Sequence, residues 1–386
     1  MARYAANEPL PGPPDPWASS EMPAFRGRAP YVMSEMIAAE PALADRLLHR
    51  LQTQDAMADL VSAIRVAADA RLPIVTTGCG TSEHAAMAIA ALLTEALDLS
   101  PGAEVRSAQA LELVSRPVSA GLLIGVSHEG GTAVTNAALR AARDAGVRTA
   151  LVTVGRGSPG AEIAEIVVAT EEQDQSWCHT VGYLSPILAG IAAASAINRS
   201  RLDAIGVRSL LDGGHDPHAA ASVAGNLASC DRILVAGAGI DRISAHELSL
   251  KVAEGARLPA SAHDLETLLH GHLAAATRWT GLVVIVTAPA TELVRDRANR
   301  LLSAARSLSV PAAAIVSAEV SGAIPPEVTP AGRLVLPRAG PIHGSAPALL
   351  GAAMTLQLLA ERLARARNVN PDTLGREDSA QAAAHV

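Results

Sequence analysis

Ile74-Val75-Thr76-Thr77-Gly78-Cys79-Gly80 is a β-branched apolar run that ends in a Gly-x-Gly turn and leads into an Ala-rich segment. That is the signature of a buried strand turning directly into a helix. Ile233-Leu234-Val235-Ala236-Gly237-Ala238-Gly239 has the same form. Working outward, short apolar runs alternate with helical segments, the mark of βαβ units and a parallel sheet. The first series of expected strands is Ile74–Thr77, Leu122–Val126, Thr149–Val154 and Ile166–Ala169. The second is Ile233–Ala236, Leu282–Thr287, Ala313–Val316 and Leu334–Leu336. Leu122–Val126 leads into a predicted helix at Ala133–Ala145, and Leu282–Thr287 into one at Glu292–Leu308. Corresponding elements lie roughly 160 residues apart, so one α/β domain is read as duplicated in tandem. The join is expected in a loop near Asp212–Pro217, which holds two glycines and a proline.

Composition narrows the function classes. About half of the 386 residues are apolar, aromatics make up 2%, and the net charge is −7. No basic footprint for nucleic acid is present. Three cysteines, Cys79, Cys178 and Cys230, are too few and too scattered for a disulfide framework or a zinc site. His263 and Asp264 come close to a ligand-like pair, but no third ligand has convincing spacing, so neither a metal nor another cofactor is expected. The Pro-rich start lacks an apolar signal core. Leu184–Ile197, the longest apolar stretch, is interrupted and too short to span a bilayer. A soluble cytoplasmic protein without membrane or nucleic-acid partners is expected.

One residue stands out. Among 31 Lys and Arg side chains, Lys251 is the only lysine. A lysine kept in such a background suits a place where a compact ammonium is needed and a planar fork does not fit. His246–Glu254 reads as helical, and Glu247, Lys251 and Glu254 at i, i+4 and i+7 share one face. A solvated ion-pair ladder has the same spacing.

Two loops follow first-series strands, where open parallel sheets bind ligands. Gly78-Cys79-Gly80-Thr81-Ser82 precedes a helix expected from Glu83. Ser127-His128-Glu129-Gly130-Gly131-Thr132 precedes the one from Ala133. Glycines permit close approach, and hydroxyls with helix-terminal N–H groups suit an anion. Neither loop is a P-loop, and Glu83 stands where a dinucleotide fingerprint has its third glycine. Ser82 and Thr132 could instead cap helices.

Gly78-Cys79-Gly80-Thr81-Ser82-Glu83-His84-Ala85 resembles the Gly-Cys-Gly-Thr-Ser-aromatic-His-Ala segment of sugar isomerase (SIS) proteins, in particular the isomerase half of glucosamine-6-phosphate synthases. Tyr31–Leu48 resembles that half's lead-in helix. Glu247–Glu254 is similar to its Glu-Gly-Ala-Leu-Lys-Leu-Lys-Glu, and His270-Gly271 to its His-Gly-Pro. Val369–Leu374 resembles the tail that covers its active site. The resemblance implies an α/β fold of tandem SIS domains, each a three-layer α/β/α sandwich with a parallel sheet. The implied organisation is an N-terminal arm (1–30), a first domain with its lead-in helix (31–212), a second domain (213–366) and a tail (367–386).

It also implies roles. Cys79, Gly80, Thr81, Ser82, Ser127, His128, Glu129 and Thr132 would bind the substrate in the first domain. Glu254 would be the base that moves a proton between C1 and C2, with Glu247 and Lys251 handling charge. His270 would open the sugar ring, reaching in from the partner of a homodimer with a shared active site. The implied function is a sugar isomerase or deaminase acting on a hexose or amino sugar such as fructose 6-phosphate or glucosamine 6-phosphate. A non-catalytic sugar-phosphate-binding regulator is the alternative.

Three departures qualify this. Glu129 replaces a hydroxyl of the family's phosphate loop, and a carboxylate facing a desolvated phosphate is repelled by on the order of several kcal/mol. Either Glu129 points away, His128 compensates, or the ligand is not phosphorylated there. Arg376 aligns with the family's imine-forming lysine, and arginine stays protonated and forms no imine, though it can hold an anion. With no glutaminase half preceding, glutamine-dependent amination by this chain alone is not expected.

Overall fold

The structure is a computed structural model that describes residues 8, 10, 26–97, 104–200, 202–287, 289–340, 342 and 344–384. Most of the arm expected over 1–30 lies outside the described residues. The chain divides into two compact units. The first comprises residues 1–23, 39–175 and 181–208; the second comprises 24–38, 176–180 and 209–386.

The helical periodicity from Tyr31 resolves into α1 (Val32–Thr53) and α2 (Asp55–Asp69), broken at Gln54, whose extended backbone starts the second helix. The first unit continues as β1 (Ile74–Thr77), α3 (Thr81–Leu97), β2 (Val105–Ser107), α4 (Ala110–Ser115), β3 (Leu122–Val126) and α5 (Ala133–Asp144). Then come β4 (Arg148–Thr153), α6 (Pro159–Ile163), β5 (Ile166–Ala169) and α7 (Val181–Ile197). Its strands form one parallel sheet in the order β2-β1-β3-β4-β5. The long apolar stretch is α7, buried on nearly every side. Its Gly190 lets Ile89 of α3 approach, since a Cβ there would stand 3.0 Å from the Ile89 side chain.

After α8 (Ala204–Gly214), the second unit runs α9 (Pro217–Leu227), β6 (Arg232–Gly237), α10 (Asp241–Ala256), β7 (Ala260–Asp264) and α11 (Leu265–Leu269). It continues with β8 (Thr280–Val286), α12 (Glu292–Ser307), β9 (Ala312–Ser317), β10 (Gly332–Leu336), α13 (Ala346–Ala366) and α14 (Ser379–Ala384). This sheet is also parallel, in the order β10-β9-β8-β6-β7, which is the first sheet's order repeated. Each unit is therefore an α/β/α sandwich, as the repeated strand–Gly-x-Gly–helix reading predicts. Alternate residues Leu282, Val284 and Val286 with Ala312, Ala314 and Val316 face one apolar cluster with Leu268, Leu301 and Leu302. The intervening residues are buried as well. Strands covered on both faces read as continuous apolar runs for this reason.

The loop expected at Asp212–Pro217 is shorter than read. α8 continues to Gly214, and Asp216 caps α9 by accepting from His218 N–H and Ala219 N–H. Gly213 ends the helix against Pro337, whose ring atoms leave 3.0 Å for a Cβ.

In both sheets the strand order reverses beside the first strand of the repeat, where open sheets accept ligands. The two repeats fill this place differently. In the second, Asp241 at the start of α10 is buried and accepts from Thr287 N–H at 2.8 Å and from the Thr287 hydroxyl. Burial pushes its carboxyl up from an ordinary 3.8 to about 6, against the lowering effect of those two hydrogen bonds. A carboxyl raised on folding contributes stability that is complete below the unfolded value and is lost as pH rises through the folded one. Asp241→Asn keeps an oxygen for the Thr287 N–H and cannot ionise. It should melt higher than the parent near pH 8, by up to about 3 kcal/mol, with the advantage closing below about pH 4. Thermal melts across that range decide it; a lower melting temperature at pH 8 contradicts this account.

Candidate functional site

In the first unit, the tight turn after β1 requires glycine. A Cβ at Gly78 would lie 2.6 Å from the Ser82 backbone, and Gly80 has φ +58°. Ser82 N–H and Glu83 N–H donate to Cys79 C=O and Gly80 C=O, closing the turn that starts α3 at Thr81. The Cys79 thiol lies 3.6 Å from the Thr135 hydroxyl. After β3, Thr132 occupies the N-cap of α5, yet its hydroxyl makes no capping bond; it meets the Ser127 hydroxyl at 3.2 Å. The capping alternative therefore does not account for Thr132. Burial pushes the Glu83 carboxyl upward, and His84 partly offsets this.

The orientation of His128 and Glu129 is defined. Nε2 of His128 accepts from Asp174 N–H at 2.9 Å, which requires that nitrogen to carry no proton. The Glu129 carboxylate accepts from the Gln173 side-chain amide at 3.3 Å. Asp174 in turn accepts from Gly182 N–H at 3.1 Å.

In the second unit, α10 carries the expected carboxylate–lysine–carboxylate face. Lys251 Nζ lies 2.5 Å from Glu254 Oε2 and 3.7 Å from Glu247 Oε1. Lys251 and Glu247 have no exposed surface, while Glu254 keeps 26%. The solvated-ladder alternative is thereby excluded. Burial is the largest influence on Lys251 and pulls its pKa down, but Glu254, Cys178 and Glu247 outweigh it and hold the ammonium above its ordinary value. The lysine is a permanent cation between two acids, of which Glu254 is the accessible one.

Ser176–Thr180 belongs to this unit and adds groups the sequence reading did not single out. The Ser176 hydroxyl donates to Asp372 at 3.1 Å. The Cys178 thiol donates to Glu254 Oε2 at 3.8 Å. His179 lies deep enough that burial, with Lys251 and Arg376 acting the same way and Glu247 opposing, lowers its pKa to about 4. It is a neutral imidazole at physiological pH, able to accept or donate one proton. Trp177 stacks under Arg376, whose guanidinium carbon is 4.0 Å from the ring centroid. Asp372 of the tail accepts from Val32 N–H and Met33 N–H at 2.8 Å and so caps α1. The signal available in the sequence was chemical density: Trp177-Cys178-His179 gathers three scarce residue types inside a polar run.

His270 stands apart from this cluster. It is 74% exposed and pairs with Glu266 at 3.1 Å. No group of three or more His, Cys, Asp or Glu among the described residues could hold a metal ion. His263 Nε2 pairs with the Ser261 hydroxyl at 2.9 Å.

A family model described as the SIS domain matches residues 68–197 and 226–320, more than half of the chain. The chain belongs to the SIS domain family. The two matched segments are the two sheet-bearing repeats, so this is a tandem SIS protein. It is 29% identical over 284 residues to glutamine–fructose-6-phosphate aminotransferase (isomerizing) of Symbiobacterium thermophilum, covering 68% of this chain but only 46% of that protein. Among solved structures, the C-terminal domain of the Francisella tularensis glucosamine-fructose-6-phosphate aminotransferase superposes with a TM-score of 0.76 at 18% identity, over 90% of this chain and 99% of that one. Tagatose-6-phosphate ketose/aldose isomerase of Escherichia coli gives 0.67 at 19% identity, over 92% and 98%. These likenesses establish the tandem SIS fold. No helix among the described residues is long and apolar enough to cross a membrane.

Proposed function

We propose that this SIS protein is an aldose–ketose isomerase or isomerising deaminase acting on a hexose or amino sugar. The observation that carries the reading is the partly exposed Glu254 carboxylate, held by the fully buried Lys251 ammonium that Glu247 balances. Interconversion at C1 and C2 needs one base that lifts a proton beside a carbonyl and returns it to the neighbouring carbon. Glu254 serves as that base. The Lys251 charge offsets the negative charge that develops on the enediolate oxygens. In the first unit, the Ser127 and Thr132 hydroxyls and the glycine turn after β1 offer hydrogen-bonding groups of the kind a sugar uses. His270 serves ring opening from the neighbouring copy of a homodimer, consistent with its exposure in one chain. Arg376, stacked on Trp177, positions the open-chain sugar without a covalent imine.

The test is turnover. The protein is mixed with glucosamine 6-phosphate, with fructose 6-phosphate plus ammonia, and with the corresponding free sugars, and products are followed. Conversion of at least one pair is expected, and no turnover across the panel overturns the reading. Ligand-induced thermal stabilisation without any turnover would favour a sugar-binding regulator, the role suggested by arginine at position 376.

A further inference from the structure

Two donors meet on one oxygen of Glu254. Lys251 Nζ donates to Oε2 at 2.5 Å, and the Cys178 thiol donates to the same atom at 3.8 Å. No hydrogen bond or ion pair among the described residues reaches Oε1. Cys178 has no exposed surface, while Glu254 keeps 26%. A buried free cysteine ordinarily packs as a small apolar group. This one meets a carboxylate. Room for it comes from the next residue of α10. A Cβ at Gly255 would stand 3.3 Å from the Cys178 sulfur, inside ordinary van der Waals contact. Glycine weakens a helix relative to alanine, and at this position the vacant Cβ place admits the thiol.

We propose that Cys178 is a positioning residue for Glu254. With Lys251 it pins Oε2, so that Oε1 is the oxygen that takes the substrate proton and returns it. The last torsion of a glutamate side chain is broad, and an ammonium on one oxygen leaves the carboxylate free to turn. A second donor on the same oxygen, from a different segment of the chain, sets that torsion. The S–H group donates weakly, so it adds direction more than charge. The inference rests on the isomerase reading above and adds to it the identity of the reacting oxygen.

Kinetics of the full chain and three variants test it. Cys178→Ala removes the donor and leaves Glu254 and Lys251 in place. Its kcat should fall by about five- to tenfold, the worth of one hydrogen bond, with KM changed by less than about twofold. Cys178→Ser restores a donor and should recover most of that loss. Gly255→Ala keeps the thiol but displaces it, and should lower kcat by a similar factor. Cys178→Ala also makes space for the new methyl group, so the double variant should be no slower than Cys178→Ala alone. An unchanged kcat in Cys178→Ala, no recovery in Cys178→Ser, or losses that multiply in the double variant overturn the inference. The infrared S–H stretching band tests the contact without turnover. Subtracting the Cys178→Ser spectrum separates it from the bands of Cys79 and Cys230. It should move in Glu254→Gln, where the acceptor no longer carries a charge. A band unmoved by Glu254→Gln overturns the inference whether or not sugars are converted. A moved band in a chain that converts no sugar sustains the hold on Glu254 and removes only the isomerase reading.

Discussion

Glu254→Gln is expected to lower kcat/KM for sugar isomerisation by about 1,000-fold, within the range that a positioned general base contributes. The substitution is nearly isosteric. Its amide oxygen still accepts from Lys251 Nζ, which lies 2.5 Å from the carboxylate in the parent. The thiol of Cys178 keeps an acceptor at the same place. Folding should therefore survive, and only the capacity to take a proton is lost. Steady-state kinetics on whichever sugar the protein converts, with a thermal melt as control, measure this. A variant that keeps more than about a tenth of the parent activity excludes Glu254 as the base.

Lys251→Met should cost stability rather than only rate. It deletes the cation beside Glu247, a carboxylate with no exposed surface. Removing one member of a buried ion pair costs about 3–5 kcal/mol, because the other charge stays desolvated. For a unit of this size the melting temperature should fall by on the order of 10 °C. Lys251→Arg should not rescue it fully. The guanidinium keeps the charge but brings a wide planar fork into a fully buried position where two carboxylates flank a compact ammonium. Equal melting temperatures for parent and Lys251→Arg would show that charge alone matters there. That outcome would leave the lone lysine of the composition without a structural reason.

Much of the architecture could be read because central strands leave an unmistakable trace. Ile74–Thr77, Leu122–Val126 and Ile166–Ala169 are buried strands with the bounds their apolar runs suggest. The strands missed were the two at the sheet edges beside each repeat's first strand. Val105–Ser107 has three residues and an exposed centre, and Ala260–Asp264 is half-buried throughout and reads Ala-Ser-Ala-His-Asp. An edge strand has one neighbour and need not be apolar, so periodicity cannot find it. The charged face of α10 was legible for the opposite reason: helical spacing alone puts Glu247, Lys251 and Glu254 together. Cys178 and His179 were not legible. Their closeness to those charges is set by tertiary folding across some seventy intervening residues, which no local pattern encodes.

The five residues Ser176–Thr180 lie in sequence between β5 and α7 of the first unit but belong to the second. They bring it the thiol on Glu254, the neutral imidazole and the ring beneath Arg376. The Thr180 carbonyl also accepts from Gln357 of α13. The duplicated halves are thus no longer interchangeable modules. A second half excised at the repeat boundary would fold around a gap, lacking groups that only the other half's sequence encodes. Cutting the chain at the repeat boundary separates this pentapeptide from the charged face of α10 that it completes.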